Sequence, residues 1–328
     1  MVLLSNLDLV NECDNFPYDS HDDDGDKDNA QAQRNGSHYY HFYLEGCGAC
    51  LGYMTASVAE RMPLTQHWKL DQVARRLVFQ PRDDHGNSAV DVDRRSEILA
   101  EYLQEVRESR IFGVLNGWRN ELYPIYGPNR KLVLNMERSA TPLFGVVTYG
   151  VHMTGYVESD QGIKIWAPRR ALTKQTYPGM MDNTVAGGLS TGEKPFDCLI
   201  RECEEEASLP ADLVRSSAKA CGTLTYFHVR DSRAGGETGL CQPECQYIYD
   251  LKMPAEVIPK PGDDEAIDFQ LLTIPEVRRA MAEGRFKPNC SHLLLDFLVR
   301  HGFLTAENEP DYIEIVARLH RRLEFPTP

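Results

Sequence analysis

The sequence predicts an α/β fold in which an α/β/α sandwich follows a small N-terminal α/β module. Three observations support this fold class. Strand-like residues fill 143–158 and 162–170, and further strand-like stretches come after residue 222. Between these two groups of strands lies an amphipathic helix rich in glutamate. Helical patterns near 275–284 and 289–301 follow, and strands that enclose helices in this order are typical of a layered α/β sandwich.

The N-terminal part has its own alternation of strands and helices. A short amphipathic helix is predicted through Leu3, Leu4, Leu7 and Val10. Residues 19–37 are acidic, polar and without apolar periodicity, which predicts a disordered loop. Two strands, YYHFYLEG and RRLVFQ, then precede the helix DRRSEILAEYLQEVRESR. We therefore predict an N-terminal module over residues 1–138 and a second domain over residues 139–328.

The remaining elements are expected in the second domain. Strand patterns occur in GTLTYFHVRD, ECQYIYDLKM and DFQLLTI. A last helix near 310–323 is amphipathic through Ile313, Val316, Leu319 and Leu323.

Charge and hydropathy restrict the class of partner. The formal net charge of −14 argues against a DNA or RNA backbone as partner, because such partners require a basic surface. No apolar run approaches the ~18 residues of a membrane span. The first residues make a poor secretory signal, because Asp8 and Glu12 interrupt them. We expect a cytoplasmic protein with neither a membrane nor a nucleic-acid partner.

Nine cysteines and no secretory signal indicate reduced thiols. The pair Cys47 and Cys50 is a CxxC that could begin a zinc knuckle, completed by Cys241 and Cys245. The spacing of the second pair is loose, and the favoured interpretation is four small apolar residues in strands and turns.

The stretch GGLSTGEKPFDCLIRECEEEASLP, residues 187–210, contains the helix richest in glutamate. Pro195 suits its first turn. Glu202, Glu205 and Glu206 are spaced i, i+3 and i+4, so three carboxylates share one face and repel one another. A hard divalent cation such as Mg²⁺ would turn this repulsion into a binding site. The alternative is a solvated acidic surface.

The spacing around these glutamates resembles the signature of the Nudix hydrolases, Gx5Ex7REUxEExGU. It begins at Gly187 and includes Glu193, Arg201 and the three face carboxylates. Ser208 departs from it, standing where the family has glycine. The expected fold is therefore a Nudix α/β/α sandwich.

The resemblance also implies a role for each matching residue. Glu205 and Glu206 are expected to bind Mg²⁺ or Mn²⁺, and Glu202 to be a further ligand or the base for a bound water. Ala186 occupies the position of a backbone carbonyl ligand, and Glu193 is expected to pair with Arg201. A distant carboxylate is expected to complete the site. Of the acidic residues Asp263, Asp264 and Glu265 we select Glu265, with a solvated turn as the alternative.

Four further stretches narrow the resemblance: GWRNELYPIY, WAPRR, YPGMMDNTVAGG and FKPNC. With the N-terminal module they resemble the thiamin pyrophosphokinase-related Nudix hydrolases of fungi and plants. The resemblance covers nearly the whole chain outside the acidic insertion. It implies hydrolysis of thiamin diphosphate, and preferentially of oxothiamin and oxythiamin diphosphates, to the monophosphate plus phosphate.

The substrate pocket is expected to use aromatic rings for the organic end and arginines for the phosphates. The aromatic candidates are Trp118, Trp166, Tyr226 and Phe227, and the arginines are Arg169 and Arg170.

Two other functions stay open. One is a nucleotide-cleaning hydrolase acting on 8-oxo-dGTP, ADP-ribose or a dinucleotide, and the other is a non-catalytic diphosphate-binding sensor. All glutamates of the motif are present, which argues against the non-catalytic sensor. The sequence leaves open the cellular substrate, the identity of the base and whether the chain is a homodimer.

Overall fold

The computed structural model describes residues 3–18, 38–83, 85–88 and 91–328. The acidic loop that the sequence predicts at 19–37 lies outside the described residues.

The chain forms two compact units that interleave along the sequence. The first unit joins the N-terminal residues up to Asn15 with Tyr149–Phe227 and Glu244–Arg322. The second joins Phe16–Thr148 with His228–Pro243 and Leu323–Pro328. The sequence predicts a module over residues 1–138 followed by a domain over residues 139–328, and this division stays a prediction.

The N-terminal helix α1 (Asn6–Cys13) belongs to the first unit. Ser5 caps it through a reciprocal capping box with Asp8, which satisfies two backbone donors of the first turn. Leu9 and Val10 lie in the apolar core of this unit, as the amphipathic pattern predicts. Immediately after α1, the fully buried Asp14 pairs with Arg321 at 3.1 Å. This ion pair ties the N-terminus to the C-terminal end of the first unit.

The second unit is built on a four-stranded sheet in the order β2-β1-β4-β3, and a separate hairpin pairs β5 with β6. Strands β1 and β4 are parallel, and the other neighbours in the sheet are antiparallel. Its elements are β1 (Tyr40–Leu44), β2 (Gly52–Met54), α2 (Ala56–Ala59), β3 (Trp68–Asp71), β4 (Arg76–Phe79), α3 (Val92–Glu108), β5 (Leu122–Gly127), β6 (Lys131–Glu137) and α4 (Thr141–Phe144).

The first unit contains most of a six-stranded sheet in the order β10-β11-β7-β8-β12, with β9 paired to β7. Helices follow or interrupt the strands, giving the mixed α/β sandwich that the sequence predicts. Its elements are β7 (Thr148–Ser159), β8 (Gly162–Arg170), β9 (Val185–Gly188), α5 (Pro195–Ala207), α6 (Ala211–Ser217), β10 (Ala218–Val229), β11 (Cys241–Lys252), β12 (Ala266–Thr273), α7 (Ile274–Ala282), α8 (Pro288–Arg300) and α9 (Tyr312–Arg318).

Two predicted boundaries are wrong. The strand expected from Leu143 begins at Thr148, because Thr141–Phe144 forms a helical turn that ends at Gly145 with a φ of 60°. The helix expected at 310–323 is confined to Tyr312–Arg318. Ile313, counted in its apolar face, is 83% exposed. Apolar residues in short segments do not reveal by themselves which of them the core covers.

Helix α5 follows the sequence prediction closely. Pro195 opens it, and the side chains of Leu199, Cys203 and Ala207 are buried. The helix ends at Ser208, which adopts a left-handed conformation with a φ of 52°. This is the position where the resemblance expects glycine, and a Cβ is unfavourable in this conformation.

We expect the Ser208→Gly variant to be more stable, because glycine adopts the left-handed conformation without a steric cost. The gain in the free energy of unfolding should be about 0.5–1 kcal/mol, measured by urea denaturation. Ser216→Gly, inside helix α6, is the matched control and should lose a similar amount. A loss of stability in Ser208→Gly would contradict the strain assigned to Ser208.

Candidate active site

Arg201 organises the acidic face of α5. Its guanidinium donates two hydrogen bonds to Glu193, from Nε to Oε1 at 2.9 Å and from Nη2 to Oε2 at 3.1 Å. Its Nη1 donates to Glu202 at 2.8 Å and to Glu205 at 2.9 Å. The hydrogen bonds to Glu193 raise the pKa of Arg201 above its ordinary value, against the effect of burial. One cation therefore joins the loop before α5 to two carboxylates of the helix.

A close approach of backbone to side chain fixes Glu202 against strand β9. A Cβ built on Gly187 would lie 2.2 Å from both Cγ and Cδ of Glu202. No real Cβ fits at that distance, so the first glycine of the motif is required by the Glu202 side chain. The contact holds Glu202 largely out of solvent, with 12% of its side chain exposed.

Glu206 faces the same strand and lies among other carboxylates. It accepts a hydrogen bond from the backbone N–H of Ala186 at 2.9 Å. Burial raises the pKa of Glu206 well above its ordinary value, and the charge of Glu202 raises it further. The carboxylates of Asp182 and Glu265 act in the same direction. The site thus concentrates negative charge that the protein's own cations only partly neutralise.

The loop before β12 closes over the C-terminal turn of α5. Lys260 donates its backbone N–H to the Ala207 carbonyl at 3.0 Å, and Gly262 donates to the Glu206 carbonyl at 3.3 Å. A Cβ on Gly262 would lie 2.2 Å from the Glu205 carbonyl oxygen, so only glycine permits this contact. The loop brings Glu265 close enough to affect the pKa of Glu206. In the structure the Glu265 carboxylate pairs with Lys174 Nζ at 2.5 Å.

The donor set fits a hard divalent cation in its chemistry, because Glu202, Glu205 and Glu206 supply only oxygen ligands from one helix face. Within the described part of the chain, no three acidic, histidine or cysteine side chains converge closely enough to hold a metal as they stand. Arg201 binds oxygens of Glu202 and Glu205, which accounts for their present orientation. Ala186 contacts the site through its N–H, and its carbonyl as a ligand stays a prediction.

The residues predicted to bind substrate have different surroundings. Arg169 of β8 pairs with Asp268 of the neighbouring strand β12 at 3.1 Å, and both side chains are exposed to solvent. Arg170 is nearly buried, donating to Asp182 at 2.5 Å and to the Thr176 carbonyl. Trp166 is buried in β8 with 7% exposed, and its indole N–H has no partner among the described residues.

Two of the aromatic residues that were predicted to contact substrate lie elsewhere in the structure. Trp118 belongs to the second unit, where its indole donates to Asn120 at 2.9 Å. Phe227 is fully buried at the end of the first unit's segment and is a core residue.

Sequence reasoning missed Asp182, whose charge helps to raise the pKa of Glu206. Burial raises and Arg170 lowers the pKa of Asp182, and the net effect, with help from Lys287, is a pKa below its ordinary value. The Cys290 thiol lies 2.7 Å from its carboxylate. The sequence held a signal, because Arg170, Asp182 and Cys290 come from three of the four stretches that narrowed the resemblance.

Backbone hydrogen bonds join these three stretches. Asp182 donates to the Pro168 carbonyl at 3.0 Å, and Met181 donates to the Arg285 carbonyl at 2.9 Å. Lys287 then donates to the Met181 carbonyl at 3.0 Å. Segments far apart in sequence therefore form one structural unit beside Glu206.

The zinc alternative finds no support in the described residues. No metal-binding group forms around the CxxC. Burial raises the pKa of Cys50 to about 12 and that of Cys241 to about 12, which keeps both as thiols near neutral pH.

Comparison with known families divides the chain near residue 148. Residues 28–148 match a domain of unknown function, DUF4743. Residues 148–290 match the NUDIX domain. The second match contains Glu193, Arg201 and the acidic face of α5.

Several proteins are similar to this chain over much of its length. The uncharacterized protein YJR142W of Saccharomyces cerevisiae is 39% identical over 267 residues, which are 79% of this chain and 75% of that protein. Nudix hydrolase 20, chloroplastic, of Arabidopsis thaliana is 38% identical and covers 64% of this chain and 54% of its own length. Nudix hydrolase 24, chloroplastic, of the same plant is 35% identical, covering 63% and 55%. The chain thus spans about half the length of the two plant relatives.

Among solved structures, protein DR0079 of Deinococcus radiodurans covers 61% of this chain and 100% of its own, with a TM-score of 0.39 and 19% identity. In the described part of this chain, no helix has the length and apolar character of a membrane span.

We expect Gly187→Ala to destabilise the protein and displace Glu202, because the added methyl group would occupy the position of the Glu202 side chain. The loss in the free energy of unfolding should be about 1–3 kcal/mol, the usual cost of overpacking. Gly48→Ala is the control, since a Cβ there meets nothing within 4 Å. Equal stability of both variants in urea denaturation would refute the steric role of Gly187.

Proposed function

We propose that the chain is a Nudix hydrolase that acts on phosphoric anhydrides and that it cleaves thiamin diphosphate and oxidised analogues of thiamin diphosphate. The NUDIX match over residues 148–290 and the similarity to Nudix hydrolases 20 and 24 support the reaction class. The products are the monophosphate and phosphate. The observation that carries the proposal is the junction of WAPRR, YPGMMDN and FKPNC beside Glu206. These are the stretches that resemble the thiamin pyrophosphokinase-related subgroup.

Nudix hydrolases use divalent metal ions, and we propose Mg²⁺ or Mn²⁺ here. Glu202, Glu205 and Glu206 would hold the ion, with Glu265 and the Ala186 carbonyl as further ligands. When bound, it would neutralise charge on the diphosphate and lower the pKa of a water. The excess negative charge around Glu206 supports a cation at this place.

The chain's own residues orient this group of carboxylates. Glu193 holds Arg201 through two parallel hydrogen bonds, and Arg201 in turn holds Glu202 and Glu205. Glu202 is the best candidate for the base, because its contact with Gly187 limits its movement. Glu193 and Arg201 act as positioning residues.

The stretches that resemble the thiamin pyrophosphokinase-related subgroup favour a thiamin compound over a nucleotide as the substrate. Arg170 forms a nearly buried ion pair with Asp182. We therefore assign Arg170 a structural role first and phosphate binding second. Arg169 remains a candidate for contact with substrate. A nucleotide-cleaning hydrolase is the second candidate, because the acidic helix is common to both activities. The sensor alternative is disfavoured, since every carboxylate of the motif is present.

We further propose a cytoplasmic enzyme that meets its small-molecule substrate without a nucleic-acid or membrane partner. The formal net charge of −14 supports the exclusion of nucleic acid. A homodimer stays an open alternative.

Hydrolysis should require a divalent cation bound by the acidic face of α5. We expect phosphate release in Mg²⁺ or Mn²⁺ and none in EDTA. Glu205→Gln should fold normally and lose activity by about 100-fold or more. Replacing a residue that only hydrogen-bonds to a metal ligand already lowers metal affinity or activity by about 10–100-fold, and Glu205 is proposed to be a ligand itself. Glu204→Gln, the neighbouring exposed carboxylate, is the matched control and should keep parental activity. Full activity of Glu205→Gln, or turnover in EDTA, would exclude this site.

The substrate preference can be measured by comparing kcat/KM for a panel of diphosphates. We expect oxothiamin or oxythiamin diphosphate to have the highest kcat/KM, followed by thiamin diphosphate. ADP-ribose, NADH and 8-oxo-dGTP should fall lower by about tenfold or more, because specificity lies outside the acidic helix. The measurement is phosphate release, with added phosphatase for products that retain a monoester. A higher kcat/KM for 8-oxo-dGTP than for every thiamin compound would favour the nucleotide-cleaning function.

A further inference from the structure

A lysine that is largely shielded from solvent lies against the loop that covers the end of α5. Lys174 belongs to the segment between β8 and β9, and its Nζ pairs with Glu265 Oε2 at 2.5 Å. The exposed fraction is 14% for the Lys174 side chain and 36% for the Glu265 side chain. A lysine so far from solvent is almost always paired, because its charge requires an anion. Glu265 supplies a carboxylate oxygen for the Lys174 ammonium.

The backbone on both sides of this ion pair is held in place. The Glu265 carbonyl accepts a hydrogen bond from the Ala171 N–H at 2.9 Å, which joins the two segments. The Lys174 N–H donates to the Ala171 carbonyl at 3.2 Å. Further along the same segment, Arg170 Nη2 donates to the Thr176 carbonyl at 2.9 Å. A change of partner at the ion pair therefore needs only the rotation of side chains, while both backbone segments stay where they are.

The ion pair lies beside the acidic face of α5. Burial raises the pKa of Asp263 above its ordinary value. The charges of Glu265 and Glu205 raise this pKa further, whereas the charge of Lys174 lowers it. Burial also raises the pKa of Glu206, and Glu265 contributes in the same direction. Lys174 and Glu205 thus act on the same carboxyl group, which places the lysine next to the proposed metal ligands.

Lys174 differs from the two arginines near this face in the role of its partner. Arg170 pairs with the nearly buried Asp182, and Arg201 is held by two hydrogen bonds to Glu193. Neither of these two carboxylates is proposed to bind the divalent ion. The partner of Lys174 is proposed to bind it. Because an ammonium and a divalent cation repel each other at close range, they compete for the same carboxylate.

We propose that Lys174 binds a phosphate oxygen of the substrate once Glu265 has turned from the lysine to the divalent ion. The inference rests on the proposed function, because it takes Glu265 as a ligand of that ion. Rotation of the more exposed Glu265 side chain uncovers the Lys174 ammonium, which then requires another anion. A diphosphate supplies charged oxygens, and an ammonium binds such an oxygen as a point charge. Lys174 and Glu265 thus each take up one component of the substrate complex.

This exchange predicts opposite effects when the charge of Lys174 is removed. The divalent ion should bind more tightly, because Glu265 has lost a competing partner and the ion meets less repulsion. The substrate should bind less tightly, because a phosphate oxygen has lost its cation. A lysine that only positioned Glu265 would have the reverse effect on the ion, since its removal would leave that carboxylate less ordered.

The experiment compares the parent with Lys174→Met. The dissociation constant of Mn²⁺ is measured by titration calorimetry without substrate, and KM and kcat are measured in Mg²⁺ with the diphosphate that the parent cleaves fastest. Lys174→Met should bind Mn²⁺ about fivefold more tightly, as expected for the loss of one partly exposed ion pair. Its KM should rise about 10–100-fold, because a hydrogen bond between charged groups is lost.

Lys252→Met is the matched control. Lys252 of β11 forms an ion pair with Glu158 of β7 in the same unit, so the substitution and the type of interaction removed are the same. This variant should keep the parental values for both Mn²⁺ and substrate. Where Lys174→Met does not fold, Lys174→Gln takes its place, because glutamine is uncharged and keeps a donor for Glu265. The same two changes are expected from it.

Glu265→Gln tests whether the effect on Mn²⁺ passes through Glu265. It should weaken Mn²⁺ binding, and adding Lys174→Met to it should then no longer tighten that binding, because the competition has been removed. Unchanged or weaker Mn²⁺ binding in a folded Lys174 variant, or an unchanged KM, overturns the inference. A parent that binds no Mn²⁺ refutes the proposed metal site and the inference together. A parent that binds Mn²⁺ and cleaves other diphosphates but no thiamin compound refutes only the proposed substrate.

Discussion

The contact between Gly187 and Glu202 is the constraint on which the candidate active site depends. Because a Cβ at Gly187 would overlap the Glu202 side chain, helix α5 can approach strand β9 only where a glycine stands. This approach places Glu206 within reach of the Ala186 N–H and fixes the helix face on which the carboxylates lie. Gly262 acts in the same way at the opposite end of the helix, where the loop before β12 covers the last carbonyls. Two glycines therefore determine where the charge is placed.

The position of helix α5 determines which of its carboxylates are neutralised by a basic side chain. Arg201 is shared by Glu193, Glu202 and Glu205, whereas Glu206 remains beside other carboxylates. The ion pair of Arg170 with Asp182 is nearly buried and holds β8 to the segment before β9. The protein thus uses its cations to position the acidic groups, and under the proposed function a bound divalent ion would complete the neutralisation. This division explains why like charges gathered on one helix do not unfold it.

The sequence by itself determined the sandwich class, the course of α5 and the Glu193, Arg201 and glutamate pattern, because spacing along one helix fixes which side chains share a face. The resemblance also marked Ser208 as a glycine position of the family, and the structure shows a left-handed residue there. Only the tertiary structure decided that α1 joins the C-terminal helices, that Arg170 pairs with Asp182, and that Tyr226 meets Glu244 and Asn289. These contacts join residues up to several hundred positions apart. No local periodicity encodes such pairings, since they arise from the order of strands in the sheet and from the packing of helices upon it.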